Sequence, residues 1–288
     1  MMKKFTKMFL LTLLSLILLA GCGGEKTTNG NASDSKGDSK SATSTLEKAK
    51  EKGVLVVASS NDVPFAYINK DTKKFEGIDA EIMTEIAKRL GIAKVEMKEV
   101  KFENLLLELN NKGVDIVADA MYVKPERQKI ANFTNIWYTE GEALVVLKDS
   151  PIKGLDDLKD KVVGGQKGTA FLEFAQKLQK EGKVKEVKVF NSQSELLLAV
   201  NTKKVDAIIT DSAVAGYSIT NDKTLNLKLV SPYKAEAAGN IGAAVRKSDK
   251  DLLEAVNKEL DKLKEEGFVL KVLKKYGLNE DNFVPAGK

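Results

Sequence analysis

The chain has 288 residues, of which 43% are hydrophobic and 30% charged, and its formal net charge is +5. This composition is ordinary for a globular protein, and the length suffices for one large domain or two small ones. The lack of histidine and the single cysteine exclude Ser-His-Asp and Cys-His catalysis, histidine-based zinc sites and a disulfide framework. Any chemistry must use carboxylates, lysine, arginine, tyrosine or hydroxyl groups, so a binding protein is favoured over an enzyme.

Residues 1–21 predict an export signal. A basic start precedes an apolar stretch from Met8 to Leu19, which is shorter than the roughly 20 residues that a membrane-spanning helix needs. The segment "LAGC" resembles the lipobox of bacterial lipoproteins, in which cleavage before the cysteine leaves it to carry lipid. We therefore expect an extracytoplasmic protein anchored to the membrane through lipid on Cys22, in preference to a membrane-spanning anchor or a free thiol. Without the signal lysines, the 46 basic residues fall to 43 against 41 acidic ones, a balance that gives no indication of nucleic-acid binding.

Residues 22–45 predict a flexible tether. This stretch is nearly free of large apolar residues and rich in Gly, Ser, Thr, Asn and Lys, so it cannot bury enough surface to order itself. With a lipid at one end, such a tether would keep a folded body close to a membrane surface. We expect the folded body to begin near Leu46.

The folded body starts with alternating strands and helices. The β-branched run "GVLVVASS" (53–60) predicts a buried strand, and "FEGIDAEIMTEIAKRLG" (75–91) has apolar residues at helical spacing before a terminal glycine. The alternation continues to a helix that begins at Pro125, through the segments "KVEMKEV", "FENLLLELNNKG" and "VDIVADA". Strands that alternate with helices in this way predict an α/β fold with parallel strands.

An internal repeat indicates two similar lobes. The segment "LLLELNNKGVDIVADA" (105–120) aligns without gaps with "LLLAVNTKKVDAIITD" (196–211), and each copy has the pattern of an amphipathic helix, a polar turn and a strand. The alternative is that any helix-turn-strand unit looks alike. Since ligands of α/β sheets lie at the carboxyl ends of the strands, the repeat predicts ligand contacts at Ala120 to Tyr122 and at Asp211.

From residue 50 onward, the chain resembles the extracellular solute-binding proteins, family 3, that serve polar amino acid ABC transporters. The resemblance depends on the combination and order of six segments, each of which is weak alone: "FEGIDAEIMTEIAKRLG", "VDIVADAMYVKPER", "IANFTNIWY", "GGQKGTAFLEFA", "VDAIITDS" and "GAAVRKSDKDLLEAVNKEL".

This resemblance implies a two-lobed α/β fold of the type II periplasmic-binding-protein class, with two hinge-crossing strands and a ligand cleft between the lobes. Residues 46–139 and 241–288 would form lobe 1, and residues 140–240 lobe 2. We expect a monomer, without cofactor or metal, that delivers its ligand to an ABC permease with a cytoplasmic ATPase. The chain itself has no phosphate-binding G-x-x-x-x-G-K-[ST] motif.

Arg127 is the first candidate for ligand binding. A planar guanidinium presents paired donors that match a carboxylate, which lysine cannot do. Proline suits the first turn of a helix, so "PER" (125–127) places Arg127 in that turn, beside a strand end. The resemblance assigns this arginine to the ligand carboxylate, and the alternative is a surface arginine paired with Glu126 or another acid.

Two further polar candidates lie later in the chain. The segment "GQKGTA" predicts a turn into a helix whose free N–H groups favour an anion, so Thr169 would bind the same carboxylate or would only cap the helix. Asp211 ends the second repeat strand, where a buried acid is costly unless it meets a cation or several donors. The resemblance assigns Asp211 to the ligand's α-amino group, and a helix N-cap is the alternative role.

Aromatic residues predict further walls of the site. The resemblance places Phe65 and Phe102 beside the ligand, and Asp62, close to Phe65, would supply a further negative group. Tyr122 departs from the family, which has Ser or Thr five residues before the arginine. A ring there would form a cage with Phe65 and Phe102 that favours diffuse or alkylated cations, and the alternative is packing on the lobe surface. An aromatic residue at this position, followed by "KPER" (124–127), is similar to the ectoine-binding branch of the family.

These features predict a zwitterionic ligand, which would be an amino acid, with cationic ones among the options, or an ectoine-like solute derived from one. Two other functions use the same fold. An enzyme similar to cyclohexadienyl dehydratase would need a carboxylate with a raised pKa, for which Asp62 or Glu173 is a candidate. A sensing module would present its closed state to a signalling receptor, and sequence alone does not distinguish it from a transport protein.

Overall fold

The computed structural model describes residues 43–288. The predicted export signal, the predicted lipidation site at Cys22 and nearly all of the predicted tether lie outside the described residues. Helix α1 (Thr45–Lys52) begins close to the expected start of the folded body, and Ser44 closes a capping box at its N-terminus. In the part of the chain that the structure describes, no helix is long and apolar enough to cross a membrane.

Strands and helices alternate along most of the described chain, as the sequence predicts. The strands are β1 (Val54–Ser59), β2 (Tyr67–Ile68), β3 (Phe75–Glu76), β4 (Lys94–Glu99), β5 (Ile116–Val117), β6 (Asn132–Phe133), β7 (Tyr138–Glu140), β8 (Glu142–Leu147), β9 (Val162–Gln166), β10 (Glu186–Phe190), β11 (Ala207–Asp211), β12 (Leu227–Leu229), β13 (Gly239–Ile241) and β14 (Ala244–Val245). After α1, the helices are α2 (Ile78–Arg89), α3 (Leu105–Asn110), α4 (Pro125–Gln128), α5 (Ala170–Lys180), α6 (Gln193–Asn201), α7 (Ser212–Asn221), α8 (Lys250–Glu265) and α9 (Phe268–Lys275).

Two five-stranded sheets form the two lobes. The first has the strand order β4-β1-β5-β14-β6 and the second β10-β9-β11-β8-β12. In the first, β1 pairs in parallel with β4 and β5, and in the second, β9 pairs in parallel with β10 and β11. The pairs made by β14 and β8 are antiparallel. The expectation of parallel strands is therefore confirmed for one half of each sheet and wrong for the half next to the crossings.

The predicted apolar positions form the core. Leu55 and Val57 of β1 are fully buried, and Ile78, Ile82 and Met83 form the buried face of α2 because residues three and four apart share one side of a helix. Helix α2 contacts β4 of the first sheet, and α5 and α6 contact β9 and β11 of the second. Each sheet is thus covered by helices that its own segment of the chain supplies.

The two lobes are connected by two crossing strands. The chain leaves the first sheet after β6 and reaches β8 through β7, and it returns from β12 to β14 through β13. Strands β7 and β13 pair with each other in an antiparallel ribbon, in which Glu140 faces Gly239 and Tyr138 faces Ile241. This topology is the expected two-lobed fold with a double crossing. The lobe boundaries at 139/140 and 240/241 fall inside this ribbon, and they stay predictions.

Candidate functional site

A small cavity lies at the carboxyl ends of the strands, between the two sheets. The structure brings all the predicted ligand-binding residues together around it, although their roles toward a ligand stay predictions. The lining comprises the predicted residues Asp62, Phe65, Phe102, Tyr122, Arg127, Thr169 and Asp211, and in addition Asp119, Ala120, Gln166, Ala170, Phe171 and Gln193.

Arg127 lies in α4, whose first residue is the proline of "PER". Its Nη1 donates to the Tyr122 carbonyl at 2.8 Å and its Nη2 to the Gly168 carbonyl at 2.9 Å, while its guanidinium lies 5.5 Å from the ring centre of Phe102. Burial lowers the pKa of Arg127, and the guanidinium stays cationic because arginine in proteins is effectively always protonated. Among residues 43–288 no carboxylate forms an ion pair with Arg127, so its charge is available to an anion in the cavity.

Contacts across the mouth of the cavity join its two sides. Gly168 follows β9 of the second sheet, so its bond to Arg127 links the lobes. Lys124, next to α4, forms an ion pair with Glu173 of α5. The cleft is therefore closed over the cavity, and Glu173, which is 60% exposed, belongs to this rim and not to the cavity lining.

Thr169 starts the helix that points its N-terminus at the cavity. Its Oγ1 accepts a hydrogen bond from the Leu172 N–H at 3.2 Å and donates to the Gln166 carbonyl at 2.8 Å. The hydroxyl thus takes the capping role that the sequence left open. The N–H groups of Ala170 and Phe171, in the first turn of α5, have no acceptor within the helix, as at any helix N-terminus, and they favour an anion in front of them.

Asp211 is buried at the end of β11, with 7% of its surface exposed. Its Oδ2 accepts a hydrogen bond from Gln193 Nε2 at 3.0 Å, and Gln193 is itself fixed by the Thr210 hydroxyl, which donates to its Oε1 at 2.6 Å. Asp211 occupies the N-cap position of α7, but its side chain makes no capping hydrogen bond. The alternative role of a helix cap is therefore not observed. Burial and the nearby charge of Glu140 raise the pKa of Asp211 well above its ordinary value, and a cationic partner would stabilise its charged form.

A second acidic group lies on the other side of the cavity. The Ser60 hydroxyl lies within hydrogen-bonding distance of both Asp62 Oδ2, at 2.8 Å, and Asp119 Oδ2. Asp119 also accepts hydrogen bonds from the Ser59 hydroxyl and the Ser60 N–H, both at 2.8 Å. Burial raises the pKa of Asp119 to about 6, and burial together with the charge of Asp119 raises the pKa of Asp62. One hydroxyl proton cannot serve both carboxylates, so the pair retains acceptors for a cation.

Gln166, the last residue of β9, is 2% exposed and lines the cavity. Neither its Oε1 nor its Nε2 has a hydrogen-bond partner among the described residues. Its amide lies near the Asp62 carboxyl group, whose charged form it favours, but it forms no hydrogen bond with that group. Because an unpaired buried amide costs about 1–3 kcal/mol, Gln166 is a candidate ligand contact. The sequence contained it in "GGQKGTA", where only the glycine and threonine had drawn attention.

Aromatic rings complete the walls. The ring of Phe65 stacks on Tyr138, with 6.4 Å between the ring centres, and Phe102 lies beneath the guanidinium of Arg127. The ring of Tyr122 meets Phe171 edge-on, with 5.4 Å between the centres. The three predicted aromatic residues therefore all line the cavity, and Phe171 adds a fourth that the sequence interpretation missed. Tyr122 is 7% exposed, so packing on the lobe surface does not describe it.

Comparisons with known proteins agree with this arrangement. The chain is similar to the glutamine-binding protein of Geobacillus stearothermophilus, with 34% identity over 210 residues that cover 71% of this chain and 79% of that protein. It is also similar to the arginine-binding extracellular protein ArtP of Bacillus subtilis (strain 168), with 33% identity over 242 residues that cover 83% of this chain and 91% of that protein.

Solved structures match over most of the described body. An ancestral arginine-binding protein bound to arginine has a TM-score of 0.70 and 34% identity, with 78% of this chain and 98% of that chain covered. The ancestral amino acid-binding protein AncCDT-1, described as a precursor of cyclohexadienyl dehydratase, has a TM-score of 0.72 and 30% identity, with 81% and 99% covered. The profile of the family described as "Bacterial extracellular solute-binding proteins, family 3" matches residues 55–279. The chain therefore belongs to the bacterial extracellular solute-binding proteins, family 3.

Proposed function

We propose that this chain is the receptor of an ABC importer and that it captures an amino acid with a cationic side chain, with arginine as the first candidate. The observation that carries the proposal is the charge of the cavity lining, in which Arg127 faces three carboxylates, Asp62, Asp119 and Asp211. A ligand with one carboxylate and two cationic groups gives a partner to Arg127, to Asp211 and to the pair of Asp62 and Asp119.

The proposal assigns each part of the ligand to groups that line the same cavity. The α-carboxylate would bind the guanidinium of Arg127 and the first turn of α5, where paired donors and the helix dipole both favour an anion. The α-amino group would bind Asp211, which Gln193 holds in position. The side-chain cation would lie between the aromatic walls, against Asp62 and Asp119.

Charge balance separates cationic from neutral amino acids. Burial has already raised the pKa of all three carboxyl groups, so their charged forms are costly without a partner. A neutral side chain such as that of glutamine leaves the pair of Asp62 and Asp119 without a cation. We therefore expect neutral amino acids to bind more weakly than arginine by about ten-fold or more, the effect of one charged hydrogen bond worth about 1.5–3 kcal/mol.

The test is a thermal-shift screen followed by calorimetry against arginine, lysine, ornithine, histidine, glutamine, cystine and ectoine. A ligand at about 1,000 times its Kd stabilises the folded protein by about 4 kcal/mol, which is an easily measured shift. We expect the cationic amino acids to give the largest shifts. Tighter binding of glutamine or cystine than of arginine would exclude the proposed ligand class.

A compact cyclic zwitterion such as ectoine is the second candidate. The observation that favours it is the ring of Tyr122 at a position where the family has Ser or Thr, together with Phe65 and Phe102 in the same lining. Ectoine carries a carboxylate and one delocalised cation. Its cation would use the pair of Asp62 and Asp119 and not Asp211. Asp211→Asn would therefore weaken arginine binding strongly and ectoine binding little, if each ligand lies as proposed.

Catalysis is not part of the proposed function. Of the two acids considered for it, Glu173 lies on the rim in an ion pair with Lys124, and Asp62 is used in the proposed cation site. AncCDT-1 is itself described as an amino acid-binding protein. Incubation of this protein with prephenate or arogenate is expected to give no aromatic product, and formation of such a product would establish an enzyme.

Delivery to a permease and lipid anchoring at Cys22 complete the proposal. The family is extracellular, and the sequence "LAGC" predicts the lipid. Cys22→Ser is expected to release the protein from the membrane fraction, and a variant that keeps a lipid would contradict the anchor. Loss of uptake of the bound amino acid after deletion of this protein would favour transport, whereas an altered signalling response with normal uptake would favour the sensing module.

A further inference from the structure

Tyr122 contacts the cavity and both crossing strands. Its hydroxyl donates to the Glu140 carbonyl of β7 at 2.6 Å, and its backbone pairs with Ile241 of β13. Its ring lies against Gly239 of β13, where an added Cβ would come within 2.5 Å of the ring carbons. The same ring lines the cavity, so one side chain connects the ligand space to the hinge.

The contacts continue into the second lobe. The ring of Tyr122 packs edge-on against Phe171 at the start of α5, with an angle of 79° between the ring planes. The carboxylate of Glu140 accepts hydrogen bonds from the Ser212 hydroxyl at 2.7 Å and the Ala213 N–H at 3.0 Å, at the beginning of α7. Tyr122 therefore contacts the hinge and the second lobe while its backbone belongs to the loop after β5.

We propose that Tyr122 is a positioning residue that couples ligand binding to the hinge, and that it keeps the cleft closed once the ligand is bound. The closed cleft brings the ring, Glu140 and Gly239 into contact, and a ligand against the ring stabilises that same arrangement. The side chain of a serine at this position would be too short to reach either crossing strand. Tyr122 thus acts on ligand release, which depends on opening, and not on the first encounter with ligand.

The first experiment separates association from dissociation in the full-length protein, with L-arginine as the probe. Tyr122→Phe keeps the ring and removes only the bond to Glu140. We expect it to raise koff about five-fold and to leave kon within two-fold, because a hydrogen bond formed on closure is lost only by the closed state. The backbone N–H of the single tryptophan, Trp137, donates to the Ile241 carbonyl beside the ribbon, and its indole N–H donates to the Thr134 hydroxyl. Stopped-flow tryptophan fluorescence is therefore a suitable readout.

Tyr233→Phe is the matched control. The Tyr233 hydroxyl donates to Glu142 Oε1 at 2.9 Å, also close to the ribbon, but Tyr233 does not line the cavity. We expect its koff to equal that of the wild type. An equal rise in koff for both variants would mean that any lost tyrosine bond loosens the hinge, and an unchanged koff in Tyr122→Phe, or a fall in its kon alone, would also overturn the proposal.

A double-mutant cycle tests the packing against β13. Gly239→Ala places a methyl group where the Tyr122 ring lies, so we expect about ten-fold weaker binding of L-arginine. In the Tyr122→Ser background the same change should cost less than two-fold, since the ring that it meets is gone. Additive effects of the two changes would show that Gly239 and Tyr122 do not act on the hinge together.

Spin labels make the result independent of the ligand class. Leu107 on α3 and Leu198 on α6 are 60% and 53% exposed and lie on different lobes, so cysteines at both, in a Cys22→Ser background, report the interlobe distance. If L-arginine does not shorten the wild-type distance, the proposed ligand class fails. The coupling is decided separately in the unliganded protein. The Tyr122–Glu140 bond belongs to the closed cleft, so closed conformers should be rarer in Tyr122→Phe than in the wild type and in Tyr233→Phe, and equal distance distributions would overturn the coupling.

Discussion

The two copies of the internal repeat use the same residue in the same way up to the ends of their strands. In the first copy, Asp115 Oδ2 accepts a hydrogen bond from the Val56 N–H of β1 at 2.9 Å. In the second, Asp206 Oδ2 accepts one from the Val162 N–H of β9 at 2.8 Å. Each aspartate of the shared "VD" thus links its own strand to the neighbouring parallel strand of its sheet. The repeated sequence encodes the scaffold of each lobe.

The copies differ at the ends of their strands, which is where the candidate ligand-binding residues lie. In the first copy the chain turns at Ala120, whose φ of 48° is unusual for a residue other than glycine, and whose N–H donates to the buried carboxylate of Asp79 at 2.6 Å. The turn leads to Tyr122 and Arg127. In the second copy the strand runs straight to Asp211 and into α7. The expected anion-binding group, Arg127, therefore follows the end of one copy, and the expected amine-binding group, Asp211, ends the other.

The largest effect is expected from the strand end of the first copy. Arg127→Ala removes the paired donors for the ligand carboxylate, so calorimetry with L-arginine should show about 100-fold weaker binding or more, since charged hydrogen bonds are worth about 1.5–3 kcal/mol each. Arg127→Lys keeps the positive charge but loses the paired donors of the planar guanidinium. We therefore expect an intermediate loss of affinity, about ten-fold. Unchanged affinity in the alanine variant would remove Arg127 from the site and with it the division of roles between the copies.

Periodicity and strand ends were enough to predict the scaffold, and with the family resemblance they also located Arg127 and Asp211. Asp211 is the last residue of its strand, and Arg127 follows soon after the strand of the other copy. Asp119, Gln166 and Phe171 were missed because a side chain's direction depends on the turn that follows the strand. The left-handed turn after Asp119, in particular, has no glycine to indicate it. Sequence periodicity therefore predicts which strand ends meet, and tertiary structure decides which side chains face the space between them.

The second copy is tested by Asp211→Asn. We expect about ten-fold or greater loss of affinity for L-arginine, because the amide is a poorer partner for an ammonium group than a carboxylate. The unliganded variant should melt at a higher temperature than the wild type, since the substitution removes a buried charge close to Glu140. A lower melting temperature with unchanged affinity would mean that Asp211 is structural, and the two copies would then differ in packing only.

Two buried acids at the strand end of the first copy, Asp119 and Asp79, predict opposite effects of pH on ligand affinity and on stability. Burial raises the pKa of Asp119 to about 6 and that of Asp79 to about 7, whereas unfolded aspartate titrates near about 4. Between about pH 4 and pH 7, the folded protein therefore binds more protons than the unfolded chain. The stabilisation that these two groups give the unliganded protein is fully present below about pH 4 and is lost as the pH rises through about 7.

Ligand affinity should change in the other direction. A cation needs ionised carboxylates, so L-arginine should bind about ten-fold more weakly at pH 5 than at pH 8, the cost of ionising one group one unit below a pKa of about 6. Calorimetry and thermal melts at pH 5, 6, 7 and 8 measure both trends, and L-glutamine serves as the control ligand with a neutral side chain. An arginine affinity that stays constant over this range would contradict a role for the pair of Asp62 and Asp119 in binding the cation.

The smallest effect on binding is expected for the residues that the copies share. Asp115→Asn and Asp206→Asn each weaken a hydrogen bond from a carboxylate to a backbone N–H, so each should lower the free energy of unfolding by about 1–2 kcal/mol. The two bonds join matching positions of their lobes, but the Asp206 bond is more exposed than the Asp115 bond, so the larger loss is expected for Asp115→Asn. In both variants the Kd for L-arginine should change less than two-fold. A denaturant titration of both variants measures the first expectation and calorimetry the second. If one variant loses affinity while the other does not, the repeated aspartates are not equivalent, and ligand chemistry extends below the strand ends into the scaffold of that lobe.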